Sequence, residues 1–130
     1  SMGIQRLNLV ARLTGHPRLT ALSDAARAKQ WMANWPSVWG VECACLSIPL
    51  LQAQQAYGYQ CIFGILTASL KLISIGPTEV QSLLFKHTRN LDAAIRESAD
   101  ITEDDIGWFS PLLDITGAQH EQAYTRIFIS

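Results

Sequence analysis

Between Cys43 and Leu70 the chain contains no aspartate, glutamate, lysine or arginine. An uncharged tract of that length belongs in a membrane, in a core, or under another chain. The membrane is disfavoured, because Gln52, Gln54, Gln55 and Gln60 interrupt the first half. The more apolar Cys61–Ile75 stretch contains Lys71 and is shorter than the roughly 20 residues that cross a bilayer. The tract is therefore expected to form the longest helix, near 48–74, opened by Ser47 and Pro49 and bound for a core or a subunit interface.

Downstream, Val80, Leu83, Leu84, His87, Leu91, Ala94 and Ile95 fall on one helical stripe, while Glu79, Gln81, Lys86, Arg89, Asn90, Asp92 and Arg96 face away. Gly76 suits the N-cap of this amphipathic helix, Pro77 its first position and Glu79 its positive end. Upstream, Ile4–Leu13, Asp24–Asn34 and Ser37–Leu46 predict shorter helices, divided by Gly15-His16-Pro17 and by Trp35-Pro36. Thr102 with Glu103, Asp104 and Asp105 resembles a cap and an acidic first turn, and Ser110-Pro111 a second helix start. From Gly117 to Ser130 no period is clean. With no hairpin signal and no internal repeat, the expected fold is all-α. It is a single-domain bundle spanning 1–130, of about six to seven helices, with residues 117–130 as an irregular tail. Ser1-Met2 resembles a tag remnant, and the helical texture from Gly3 suggests that the chain opens partway into a larger unit.

Composition removes several function classes. A net charge of −1 without a basic stripe argues against nucleic-acid binding. Hydrophobic residues make up 48% of the chain and charged ones 16%, so some apolar surface is available for a partner. Cys43, Cys45 and Cys61 form no CxxC pair and follow no signal peptide, which predicts a reduced, cytoplasmic protein. Cys43 and Cys45 stand about 200° apart around a helix and cannot share an ion there, so the thiols are expected to be structural and buried. His16 is expected in a loop and His87 in a core or interface. His120-Glu121 stays open between metal contact and hydrogen bonding. No phosphate-binding glycine loop and no nucleophile motif is present, and Glu103–Asp105 suit a helix N-terminus better than acid–base chemistry. The expectation is a non-catalytic protein with no metal site and no cofactor of its own.

Two features point instead to partners. Lys71 is the lone charge of the Cys61–Ile75 tract. Either it snorkels at a helix end, where a cation suits the dipole, or it contacts an acidic partner. The terminal run His120, Glu121, Tyr124, Arg126 and Phe128 combines aromatics with an arginine, the residue types that anchor interfaces. The other possibility is that this tail packs back on its own domain.

A family resemblance rests on these segments. Asp104-Asp105-Ile106-Gly107-Trp108-Phe109-Ser110-Pro111-Leu112-Leu113-Asp114-Ile115, followed by His120-Glu121 and Tyr124-x-Arg126-x-Phe128-x-Ser130, resembles the C-terminal signature of the UreF family. The likeness continues through Trp39-Gly40-Val41, Ala56–Tyr59 and Lys71-Leu72-Ile73-x-Ile75-Gly76, while before Trp39 only helical texture is shared. Gln119 and Ile129 stand where many members carry arginine, and the family's leading Pro/Gly-containing segment is absent. The resemblance implies a helical, dimer-forming accessory protein. Such a protein joins UreD (also called UreH) and the nickel-carrying GTPase UreG on apo-urease, with nickel and GTP handled by those partners. It further implies that Tyr124, Arg126 and Phe128 anchor against UreD/UreH and that Lys71 meets the GTPase. Arg126, Arg89 and Arg96 are candidates for an arginine offered to that GTPase. The alternative outside the family is a stand-alone helical module that dimerises or binds an apolar ligand, and a third reading is nickel storage.

Overall fold

The computed structural model describes residues 2–105, 107 and 110–121. Among them there is no strand, and the all-α expectation is met by seven α-helices. They are α1 (Met2–Thr14), α2 (Pro17–Arg27), α3 (Trp35–Cys45), α4 (Leu50–Ser69), α5 (Pro77–Thr88), α6 (Leu91–Ser98) and α7 (Pro111–Glu121). The chain forms two compact units, Ser1–Ala99 and Asp100–Ser130.

In the first unit α1, α2 and α3 pack on one another around Leu7, Val10, Ala11, Leu19, Ala26, Ala33 and Val38. Leu7, Leu19 and Val38 are its largest fully buried side chains. Local chemistry sets the borders. Gly15 takes φ 62° and returns its N–H to Ala11 O at 3.0 Å, closing α1. His16 then caps α2, its Nδ1 accepting from the Arg18 N–H at 3.3 Å, with Pro17 in the first position. The second helix thus begins earlier than the expected Asp24–Asn34, because Gly15-His16-Pro17 ends one helix and starts the next. It stops at Arg27, where Lys29 turns left-handed at φ 58° and Gln30 N–H bonds Ala25 O at 3.0 Å. Asn34 caps α3 through Oδ1, which accepts from Ser37 N–H at 3.1 Å.

Ser47, expected to open the long helix, closes α3 instead: at φ 56° it lets Ile48 N–H reach Cys43 O at 2.9 Å. α4 follows from Leu50 and packs on α3, α5 and α6. Val80 and Leu84 of α5 and Ala53 of α4 are buried. The amphipathic stripe is one pattern but two helices, since the chain tightens at Arg89 and Asn90, where Asn90 N–H bonds His87 O at 3.2 Å.

In the second unit a 3₁₀ turn spans Glu103–Asp105. Asp105 Oδ2 accepts from the Thr102 hydroxyl at 2.7 Å and from its N–H at 3.4 Å, and these bonds hold the Asp105 carboxyl below its ordinary range. Pro111 then opens α7, which continues through Gly117 to Glu121.

Candidate partner-binding surface

The geometry begins with Trp39 on α3. Its indole N–H donates to Ala53 O at 3.0 Å, tying α3 to α4, and its ring lies 6.2 Å from Tyr57 and 6.4 Å from Trp35. On the other side the Arg6 guanidinium stands 5.5 Å from the Trp39 ring and 5.6 Å from that of Trp35, a cation held over two π-faces. Arg6 is fixed there by Glu42, whose carboxylate accepts from Nε at 2.8 Å and from Nη2 at 2.7 Å. The bond to Glu42 keeps the guanidinium more firmly protonated than usual.

Below this clamp, Trp39, Leu50, Ala53, Tyr57, Leu91 and Ile95 line an apolar cleft of about 360 Å³ between α3, α4 and α6. A second cleft, about 390 Å³, continues from Leu91 and Ala94 to Ile62, Ile65, Leu66 and His87. Gln55 Nε2 donates to Asp92 Oδ1 at 2.9 Å and links α4 to α6. Gly58 sits where a Cβ would strike the Leu91 side chain, so its lack of a side chain lets α6 lie close to α4.

The uncharged helix is therefore only partly used as core. Tyr59 and Phe63 stack with centroids 6.1 Å apart and stay 45% and 39% exposed, while Ile65 and Phe85 are 70% and 71% exposed. Tyr59 and Phe63 lie one turn apart on one side of α4, Ile65 lies on another side at the second cleft, and Phe85 is on α5; exposed apolar groups of this size mark a surface that another chain covers. No described helix is long and apolar enough to cross a membrane.

Lys71 lies in the turn that follows α4, its N–H bonded to Ala68 O at 3.1 Å, and is flanked by Leu72 and Ile73, 57% and 59% exposed. His120 and Glu121 end α7, and Tyr124, Arg126 and Phe128 lie outside the described residues. Arg89 and Arg96 are exposed. His87 is exposed beside the second cleft rather than in a core. The thiols divide: Cys43 is buried, Cys45 half-buried and Cys61 exposed, so burial fails for Cys61. Among the described residues no group of three His, Cys, Asp or Glu is placed to hold a metal ion. Sequence reasoning missed the Arg6–Glu42 clamp and the clefts, whose members lie far apart along the chain. The sole signal was the clustering of Trp35 and Trp39 near an unexplained acid, Glu42.

The family model described as UreF matches residues 1–87. A protein named urease accessory protein UreF from Actinobacillus pleuropneumoniae serotype 3 is 26% identical over 129 residues, covering 99% of this chain and 57% of its own length. Its namesake from Haemophilus influenzae strain Rd is 28% identical over 129 residues, covering 99% and 55%. That from Alkalilimnicola ehrlichii is 28% identical over 117 residues, covering 87% and 51%. The chain thus spans little more than half the length of these relatives, and the likeness takes in α1 and α2, where the sequence alone suggested shared texture only. No solved structure matches the chain.

Proposed function

The chain belongs to the UreF family, and from that premise we propose that it is a non-catalytic accessory factor of urease maturation that brings UreD/UreH and the GTPase UreG together on apo-urease. The observation that carries the reading is the uncharged, exposed apolar side of α4 around Tyr59 and Phe63 with its adjoining clefts, which offers binding area for another chain. In this reading nickel and GTP stay with the partner proteins and the protein works in the cytoplasm. A second copy packs against the Tyr59–Phe63 side of α4. Lys71 contacts the GTPase, and His120, Glu121, Tyr124, Arg126 and Phe128 hold UreD/UreH.

Co-purification at near-physiological salt tests this, with UreD/UreH and UreG as prey and a full-length relative as the positive control. Capture of UreD/UreH by the chain is the expected result. Capture by the relative and not by the chain sinks the claim that these surfaces suffice. If Arg126→Ala leaves assembly unchanged, the role given to the tail is wrong.

A further inference from the structure

The surface formed by α1 and α2 differs in kind from that of α4. Residues 2–29 carry Arg6, Arg12, Arg18, Arg27 and Lys29 against Asp24 alone, so the acidic excess that brings the chain to −1 lies in the remainder. Arg6 is committed to Glu42. Two others converge. Asn8 and Arg12 stand one turn apart on α1, Ser23 and Arg27 one turn apart on α2, and together with Thr20 and Asp24 they line a polar cleft of about 280 Å³.

The hydrogen bonds inside it leave donors in excess. Asn8 Oδ1 accepts from the buried Ser23 hydroxyl at 2.6 Å and from Arg27 Nη2 at 3.4 Å, which uses the amide oxygen and leaves the NH₂ group as a donor. The Thr20 hydroxyl is turned to His16 O at 3.2 Å. Arg27 and Asp24 approach only to 3.8 Å, with side chains 60% and 69% exposed, a contact that costs little to exchange. Two arginines and an amide NH₂ thus border a recess large enough for one acidic side chain.

We propose that this cleft docks a carboxylate-bearing segment of a partner protein. A carboxylate fits better than a phosphate for two reasons. Guanidinium forks match either anion, but Asp24 in the lining repels a dianion more strongly than a monoanion, and the recess of about 280 Å³ suits a single acidic side chain. A nucleic acid, whose phosphates run far beyond the cleft, is disfavoured by the acidic remainder of the chain. The site does not depend on the accessory-factor reading, since it rests on side chains of α1 and α2 alone.

Fluorescence anisotropy of a labelled oligoglutamate peptide with the whole chain at low salt tests it. The Arg12→Gln/Arg27→Gln pair should weaken binding by about tenfold or more. Arg18→Gln/Lys29→Gln, which removes the same charge from residues outside the cleft lining, should change it by less than about threefold. Asp24→Asn should tighten binding, an outcome that misfolding does not mimic, and circular dichroism of each variant reports its helix content. Equal losses in both pairs, no gain in Asp24→Asn, or no binding overturns the proposal. Displacement of the peptide by inorganic phosphate in preference to glutarate at equal ionic strength makes the cleft a phosphate site and likewise overturns it.

Discussion

Arg6 and Glu42, 36 residues apart, face each other through two hydrogen bonds, and the two ends of the pair are unequally buried: 31% of the Arg6 side chain is exposed but only 9% of that of Glu42. Removing Arg6 strands a carboxylate that water reaches poorly and takes a cation from over the rings of Trp35 and Trp39. Removing Glu42 leaves a guanidinium that can rehydrate. Arg6→Ala should therefore cost about 2–4 kcal/mol and Glu42→Ala about 1–2 kcal/mol. Urea unfolding followed by tryptophan emission measures both, and the reverse order would place the energy in the carboxylate's other surroundings.

Alkaline pH should weaken the first unit. Burial raises the Cys43 thiol above its ordinary 9.0, with Glu42 adding to the effect, and burial raises the Tyr57 hydroxyl above 10.0, helped by Cys61. A raised value means that the folded state holds the proton longer than the unfolded chain. The stabilisation is therefore complete below pH 9 and falls as pH climbs through each folded-state value. Melting temperatures from pH 7 to 11 should drop above about 9, and Cys43→Ala should delay the onset.

The same burial orders the thiols by reactivity. Cys61 should react first with a disulfide reagent such as DTNB, Cys45 next and Cys43 last, the last only as fast as the fold opens. Mass mapping of the labelled sites checks the order.

Two glycines of one helix should answer a methyl group in opposite ways. Gly64 has open space around it, so Gly64→Ala should gain up to about 1 kcal/mol from helix propensity. At Gly58 the methyl meets the Leu91 side chain, and overpacking of roughly 1–3 kcal/mol cancels or exceeds that gain. Thermal unfolding of the two variants gives the comparison.

Lys29 and Ser47 hold left-handed turns, at φ 58° and 56°, where a side chain is disfavoured. Lys29→Gly and Ser47→Gly should each stabilise by roughly 0.5–1 kcal/mol. A loss of stability on differential scanning calorimetry would mean that those side chains make contacts worth more than the strain.

Helix starts were the most legible part of this fold, because Pro36, Pro77 and Pro111 each sit near the first turn of a helix and announce it locally. Pro17 does the same, yet beside Gly15 it looks like a break, and the cap made by His16 is a geometry that composition does not reveal. The division between α5 and α6 escaped because the apolar stripe from Val80 to Ile95 runs on through Arg89 and Asn90 almost in phase. The uncharged tract left a core and an interface both open, and Lys71 a snorkelling cation or a partner contact. Neither could say that Trp39 and Leu91 meet α4 from opposite sides, since those contacts belong to helix packing and leave no trace in local spacing.

The uncharged stretch that builds α4 has an outcome at the bench. Lysine and arginine are missing not just from 43–70 but from every position between Lys29 and Lys71. Trypsin therefore leaves α3, the Trp39 junction and all of α4 in one long peptide, and amine-directed cross-linkers find no handle there. In a footprint of an assembled complex, tryptic peptides will resolve α1, α2, α5 and α6, amine-directed cross-linkers will reach only the side chains of Lys29, Lys71 and Lys86, and both stay blank over the exposed apolar side of α4. Chymotrypsin, or a photoreactive residue placed at Tyr59, is what makes that side visible.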